Sequence, residues 1–316
     1  MTNGQHPGRA SHRAARCARQ WARASVAALL LIVCTPALGA DLFYLDHDPF
    51  THEYVGPTGP LVLSGEIAAG DYDRLLARIS EDQKRFLGEN KLILASDGGD
   101  VSEAIKIAKL LRSLYTQVVV GPLTGKCAGT CFLIYTAANQ RATDGQRLLG
   151  VSRPYLADSE LAELPPAEAA LKQDTAAAQA RGFLEENAVP AALVEEMFGR
   201  LPSDVYWLTE SDEANLGVMS PSFTQLLAAK CAWDDNTARE VYGGKRPMED
   251  LRQMWACRDR LTQPAAQKAL SAALKEKSAG DPNAKSKDAP PQPCHKKGTV
   301  DSTTDECPQS NTTRGK

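Results

Sequence analysis

The sequence predicts an α/β fold on a mainly parallel sheet. Short apolar or β-branched runs alternate with helix-periodic stretches from Pro60 to about Ser220. The turn Asp97-Gly98-Gly99 joins a buried strand to a capped helix, and the β-branched run Gln117-Val118-Val119-Val120 follows that helix, completing a βαβ unit. Strands that alternate with helices imply a sheet covered on both faces.

Taken in order, residues 41–59 mix Phe43, Tyr44, His47, His52, Gly56 and Pro57, and read as an irregular lead-in or an edge strand. Leu61 to Ile67 is strand-like. Asp71 to Gln83 is helix-like, with Tyr72, Leu75, Leu76 and Ile79 at helical spacing. The strand Leu92-Ile93-Leu94-Ala95-Ser96 precedes the glycine turn. Asp100 then reads as an N-cap with Glu103 as its capping-box partner, opening a helix whose apolar face is Val101, Ala104, Ile105, Ala108 and Leu111.

Beyond Gln117–Val120 and the loop 121–126, the nearly all-apolar stretch Cys127 to Asn139 predicts a helix buried on most sides. Leu148 to Val151 reads as a further strand, Pro154–Pro166 as a loop, and Ala167–Glu186 and Val189–Phe198 as helices. Val205–Thr209 is a last short strand, and a helical turn ends at Gly217. The main domain spans 60–220. A helical extension over 221–274 and a Lys-, Pro- and Ser-rich tail over 275–316, expected to be disordered, complete the chain.

Residues 1–40 hold Arg9, Arg13, Arg16, Arg19 and Arg23 and no acid, then the apolar run Ser25 to Cys34, then Thr35-Pro36-Ala37-Leu38-Gly39-Ala40. This is the pattern of a signal peptide cut near Gly39 or Ala40, so the expected location is periplasmic or secreted. The run is short for a span of about 20 residues, and a membrane is a partner only if the segment stays uncut as an anchor. Without residues 1–40, five of the 36 basic residues are gone and none of the 39 acidic ones, leaving 31 against 39, a charge of −8. That balance argues against nucleic acid as a partner.

Six cysteines remain after such a cut. Pairing nearest neighbours gives Cys127–Cys131, Cys231–Cys257 and Cys294–Cys307, although the spacing alone leaves about 15 connectivities open. Two thiolates four residues apart without a nearby histidine make a poor zinc site, and no metal or other cofactor is expected.

Three segments stand out together: Ser96-Asp97-Gly98-Gly99-Asp100, Cys127-Ala128-Gly129-Thr130-Cys131 and Leu149-Gly150-Val151-Ser152-Arg153-Pro154. Their order and spacing over about residues 60–220 resemble the proteolytic subunit of Clp protease and its exported bacterial relatives, in the ClpP/crotonase superfamily. The resemblance implies a spiral ββα fold. It also implies that the Gly98-Gly99 backbone and the Thr130 amide form an oxyanion or peptide-binding site. In that family the first segment is typically Ser-Pro-Gly-Gly-Asp, the second Cys-Ala-Ser-Ala-Cys with a serine nucleophile, and the third Leu-Gly-Phe/Val-His-Arg-Pro with a histidine base. Here the nucleophile position is Gly129 and the base position is Ser152; the triad acid falls on Val205, one place from Asp204. Relatives are oligomeric, so a homo-oligomer using Pro154–Glu186 is expected.

The chemistry can be read without the family. A neutral serine needs a base within hydrogen-bond reach, usually histidine. The five histidines are His6, His12, His47, His52 and His295, so none lies between Glu53 and Cys294. Lys126 beside the second segment is the alternative base, with Thr130 or Ser152 as a replacement hydroxyl. Two triad members are missing, and loss of one already costs orders of magnitude in rate. Each feature also has a plainer origin: Gly98-Gly99 as a tight turn needing positive φ, and Phe132, Tyr135 and Trp207 as core. The expectation is an exported pseudo-peptidase that holds a peptide or protein partner without cutting it. A peptidase with an atypical nucleophile is the alternative. A crotonase-like acyl-thioester enzyme, which needs only two backbone donors, is the second alternative.

Overall fold

The computed structural model describes residues 39–46, 59–121, 125–156, 161–162 and 164–280. His47, His52 and the Cys294–Cys307 pair lie outside them, as does most of the tail.

Five strands form the main sheet in the order β1-β2-β3-β4-β5: β1 (Asp41–Tyr44), β2 (Leu61–Ser64), β3 (Lys91–Ala95), β4 (Gln117–Val120) and β5 (Gln140–Thr143). β1 is an antiparallel edge strand; β2 through β5 pair in parallel. The crossovers are α1 (Asp71–Glu81) with α2 (Gln83–Glu89), then α3 (Val101–Ser113), then α4 (Cys131–Ala137). Such crossovers are what parallel neighbours require.

After each strand the chain breaks and makes a second, much shorter pairing. Gly65, at φ +98°, ends β2, and Ile67 then bridges Gly99. Ser96 bridges Cys127 and Cys127 bridges Leu149, all in parallel. β6 (Gly150–Val151) pairs antiparallel with β7 (Tyr206–Trp207). Strand, break, short strand and helix therefore repeat along the chain, which is the spiral ββα pattern with a mainly parallel sheet. The second, short strands carry the three motif segments.

Several local expectations change. The helix from Asp71 stops at Glu81, because Asp82 leaves helical geometry and its side chain accepts the Arg85 amide, starting α2. Asp100 caps α3 through the Glu103 amide at 2.7 Å, yet Glu103 does not close a capping box. Its buried carboxylate instead accepts the Gly70 and Tyr72 amides at 3.1 and 2.7 Å, satisfying the orphan donors at the start of α1. Cys127 belongs to a bridge, and α4 begins only at Cys131. All seven α4 residues are buried, as its all-apolar sequence requires.

The remaining helices are α5 (Pro166–Glu186), α6 (Ala191–Gly199), α7 (Glu210–Leu216), α8 (Pro221–Cys231), α9 (Asp235–Tyr242) and α10 (Met248–Gly280). Phe223, Leu227, Trp233, Val241, Leu251 and Met254 form a second small core, and the Cys231–Cys257 disulfide fastens α8 to α10. α10 then returns to the main core at Leu270. It runs through 275–280, where a disordered tail was expected. Lys277 donates to the Asp73 carbonyl at 2.9 Å and pairs with its carboxylate, tying this stretch to α1. Among the described residues no helix is long and apolar enough to cross a membrane.

Candidate functional site

The three motif segments meet at one end of the sheet. The Cys127 amide donates to Leu148 O and its carbonyl accepts from the Gly150 amide, so the second segment is threaded beside the third. The Ala128 amide donates to Ser96 O and the Ser96 amide to Lys126 O, so it is equally threaded beside the first. The disulfide Cys127–Cys131, with Cα atoms 5.4 Å apart, closes the loop between bridge and helix.

That loop carries Gly129 at φ +56°, a region that favours glycine. A Cβ built there would lie 3.7 Å from Ser152 Oγ and 3.0 Å from the Asp97 carbonyl. The two positions where the resemblance led us to expect a nucleophile and its base are thus adjacent; Gly129 has no side chain and Ser152 ends in a neutral hydroxyl. Ser152 is 3% exposed and its hydroxyl has no hydrogen-bond partner among the described residues.

The expected backbone donors separate into two kinds. The Gly98 amide donates to Ser96 Oγ at 3.1 Å and so is not available to a ligand, which narrows the expected trio. The Gly99 and Thr130 amides have no acceptor among the described residues. Gly98 and Thr130 are in close contact, since a Cβ on Gly98 would fall 3.0 Å from the Thr130 nitrogen. Gly99 is packed harder: its Cβ would stand 2.0 Å from Ile67 O at φ +135°. Thus both glycines serve the turn, and Gly98 also leaves room at the Thr130 amide.

The Thr130, Lys126 and Asp204 side chains are each engaged in another contact. The Thr130 hydroxyl donates to Gly99 O at 3.2 Å and the residue is 1% exposed. The Lys126 ammonium lies 4.3 Å from the centre of the Trp207 ring, a cation–π contact that turns it toward β7. Asp204 pairs with Arg200 at 3.1 Å, with its side chain more than half exposed. Trp207, read as core, is only half-buried and stacks over Gly150, where a Cβ would meet the ring at 2.8 Å.

Beside these groups a cleft of about 410 Å³ opens between the break after β2 and the first motif. Gly65, Glu66, Asp97, Gly99, Lys126 and Tyr155 are among its lining residues. Gly129, Thr130 and Ser152 are buried and do not line it. Glu66 and Tyr155 carried no motif. Only the loop after Pro154 was visible in the sequence; Gly65 and Glu66 fell inside a stretch read as strand, which ends instead at Ser64.

No protein-family model and no curated protein matches the chain. Solved structures do resemble it. ClpP1 from Listeria monocytogenes is similar at 15% identity and a TM-score of 0.33, over 51% of this chain and 88% of that one. The 1510-N membrane-bound stomatin-specific protease, solved with a substrate peptide, is similar at 17% identity and a TM-score of 0.33, over 54% and 78%. The enoyl-CoA hydratase EchA3 from Mycobacterium ulcerans is similar at 13% identity and a TM-score of 0.29, over 75% and 98%. Its structural neighbours are ClpP-like proteases and enoyl-CoA hydratases.

Proposed function

We propose that this protein is an exported, peptidase-like binding protein that holds an extended peptide or protein segment without hydrolysing it. One observation supports the reading: Gly129 and Ser152 face each other, the first with no side chain and the second with a neutral hydroxyl that is too weak a base to activate a nucleophile. The cleft beside them offers the Gly99 amide, the Lys126 ammonium, the Glu66 and Asp97 carboxylates and the Tyr155 ring, a set suited to a polar, extended chain. The arginine-rich leader and its small-residue end support export.

The exported protein is expected to give no labelling with a fluorophosphonate probe and no cleavage of casein. Ser152→Ala and Thr130→Val are expected to change neither result. Labelling that persists in homogeneous protein and disappears in either variant overturns the reading in favour of an atypical peptidase.

A second reading, an acyl-thioester enzyme, is favoured by the two partnerless amides of Gly99 and Thr130. Retention on a coenzyme A resin supports it; passage through the resin excludes it. Self-association belongs to the proposed function as well. Leu171 on α5 is 68% exposed beside Leu164, and Leu171→Glu is expected to lower the mass measured by light scattering.

A further inference from the structure

Ala40 is 1% exposed although it precedes an edge strand. Its amide donates to Asp71 Oδ2 at 2.9 Å, and its carbonyl accepts from Arg74 Nη2 at 2.6 Å. Asp71 is itself 0% exposed. Its Oδ2 also accepts the Ala68 amide at 2.9 Å, and its Oδ1 accepts Arg74 Nη1 at 2.6 Å. A Cβ on Gly39 would lie 2.3 Å from Asp71 Oδ1 and 2.8 Å from Arg74 Nη1, so no larger residue passes this ion pair without moving it.

A fully buried carboxylate is expensive unless charge and hydrogen bonds compensate it. Arg74, its cation among the described residues, is 44% exposed and therefore partly screened. The Ala40 amide brings a single proton and no net charge. An ammonium at the same nitrogen would bring a full positive charge 2.9 Å from Oδ2. The sequence supplies a way to make one, because Ala37-Leu38-Gly39 places small residues one and three positions before Ala40, as signal peptidases require.

We infer that the chain is cut between Gly39 and Ala40 and that Asp71 with Arg74 is the docking site for the new amino terminus. A signal endopeptidase and one water accomplish the cut: the Gly39–Ala40 C–N bond breaks, Gly39 leaves as a carboxylate and the Ala40 nitrogen becomes an ammonium. The step charges the atom that faces Oδ2. Cutting one bond later would delete Ala40 and both of its bonds to the pair. Processing thereby fastens β1 to α1, and the uncut chain is the less stable form. This inference rests on the proposed export.

Two measurements test it. Protein exported from a bacterial host is sequenced from its amino terminus, with Ala40-Asp41-Leu42 as the expected start. Separately, chains beginning at Ala40 and at Leu38 are released from a removable fusion, each with and without Asp71→Asn. The Ala40 chain is expected to melt higher than the Leu38 chain. Asp71→Asn is expected to lower its midpoint by about 2 °C or more beyond its effect in the Leu38 chain, where residue 40 keeps a neutral amide. A start at Asp41 overturns the inference and leaves export standing; a start at Met1 overturns both. Equal midpoints for the two unsubstituted chains overturn the docking even if Asp71→Asn fails to fold.

Discussion

Gly129 faces Ser152, with 3.7 Å separating the Ser152 hydroxyl from the point where a Cβ on Gly129 would stand. Placing a serine at 129 therefore puts a hydroxyl beside a group that cannot deprotonate it. It also puts a side chain at φ +56° and 3.0 Å from Asp97 O. Gly129→Ser is expected to cost about 1–3 kcal/mol in urea unfolding and to remain unlabelled by fluorophosphonate. A variant that is labelled at once would show that a base is within reach.

Adjacent glycines should separate binding from folding. Gly99→Ala drives a Cβ to 2.0 Å from Ile67 O and is expected to abolish soluble export. Gly98→Ala places its Cβ 3.0 Å from the Thr130 nitrogen, a contact that small shifts can relieve. It is expected to fold with a modest loss of stability and to bind peptide at least about tenfold more weakly, equivalent to about 1.4 kcal/mol. Unchanged peptide affinity in folded Gly98→Ala would remove the glycine turn, which lines the cleft, from the binding site.

The two disulfides should differ in weight. Chain-entropy arithmetic gives about 2 kcal/mol for the short Cys127–Cys131 loop and about 3.5 kcal/mol for Cys231–Cys257, which spans 26 residues. Paired Cys→Ser variants compared by urea unfolding are expected to keep that order. The Cys127 pair is expected to weaken peptide binding, since Cys127 follows Lys126 and bridges Ser96, both of which line the cleft; the Cys231 pair is not.

Much of this architecture could be read from the sequence, and the misses share a cause. The long strands Leu61–Ser64, Lys91–Ala95 and Gln117–Val120 announce themselves by apolar and β-branched runs. The second strand of each repeat is one or two residues long, so Ile67, Ser96 and Cys127 have no periodicity to detect. β5 is Gln-Arg-Ala-Thr, polar because it closes the sheet and because Arg141 spends its guanidinium on the Thr136, Leu216 and Gly217 carbonyls. At the site, glycine at 129, serine at 152 and the lack of any histidine between Glu53 and Cys294 were legible in the residues. The occupied Gly98 amide and the Lys126–Trp207 contact were not, because both depend on segments brought together by the fold.

A pH dependence follows from the cap of α7. The Thr209 amide and hydroxyl, at 2.8 and 2.7 Å, with Tyr206 Oη at 2.9 Å, hold the Asp212 carboxyl below the usual range. A depressed carboxyl contributes stability that is present above its unfolded pKa near 3.9 and lost as pH falls through the folded value. Asp212→Asn is thus expected to lower the urea midpoint at neutral pH and to cost less at about pH 3. An equal cost at both pH values would mean the carboxylate charge is not what the cap uses.

Binding without cutting is tested most directly by one measurement on the mature protein. A fluorescent pool of random hexapeptides is titrated by anisotropy, and the same sample is analysed by mass spectrometry after overnight incubation. Saturable binding that Gly98→Ala weakens is expected, with every peptide recovered intact. Peptide fragments that accumulate with the wild-type protein and vanish with Ser152→Ala would contradict it.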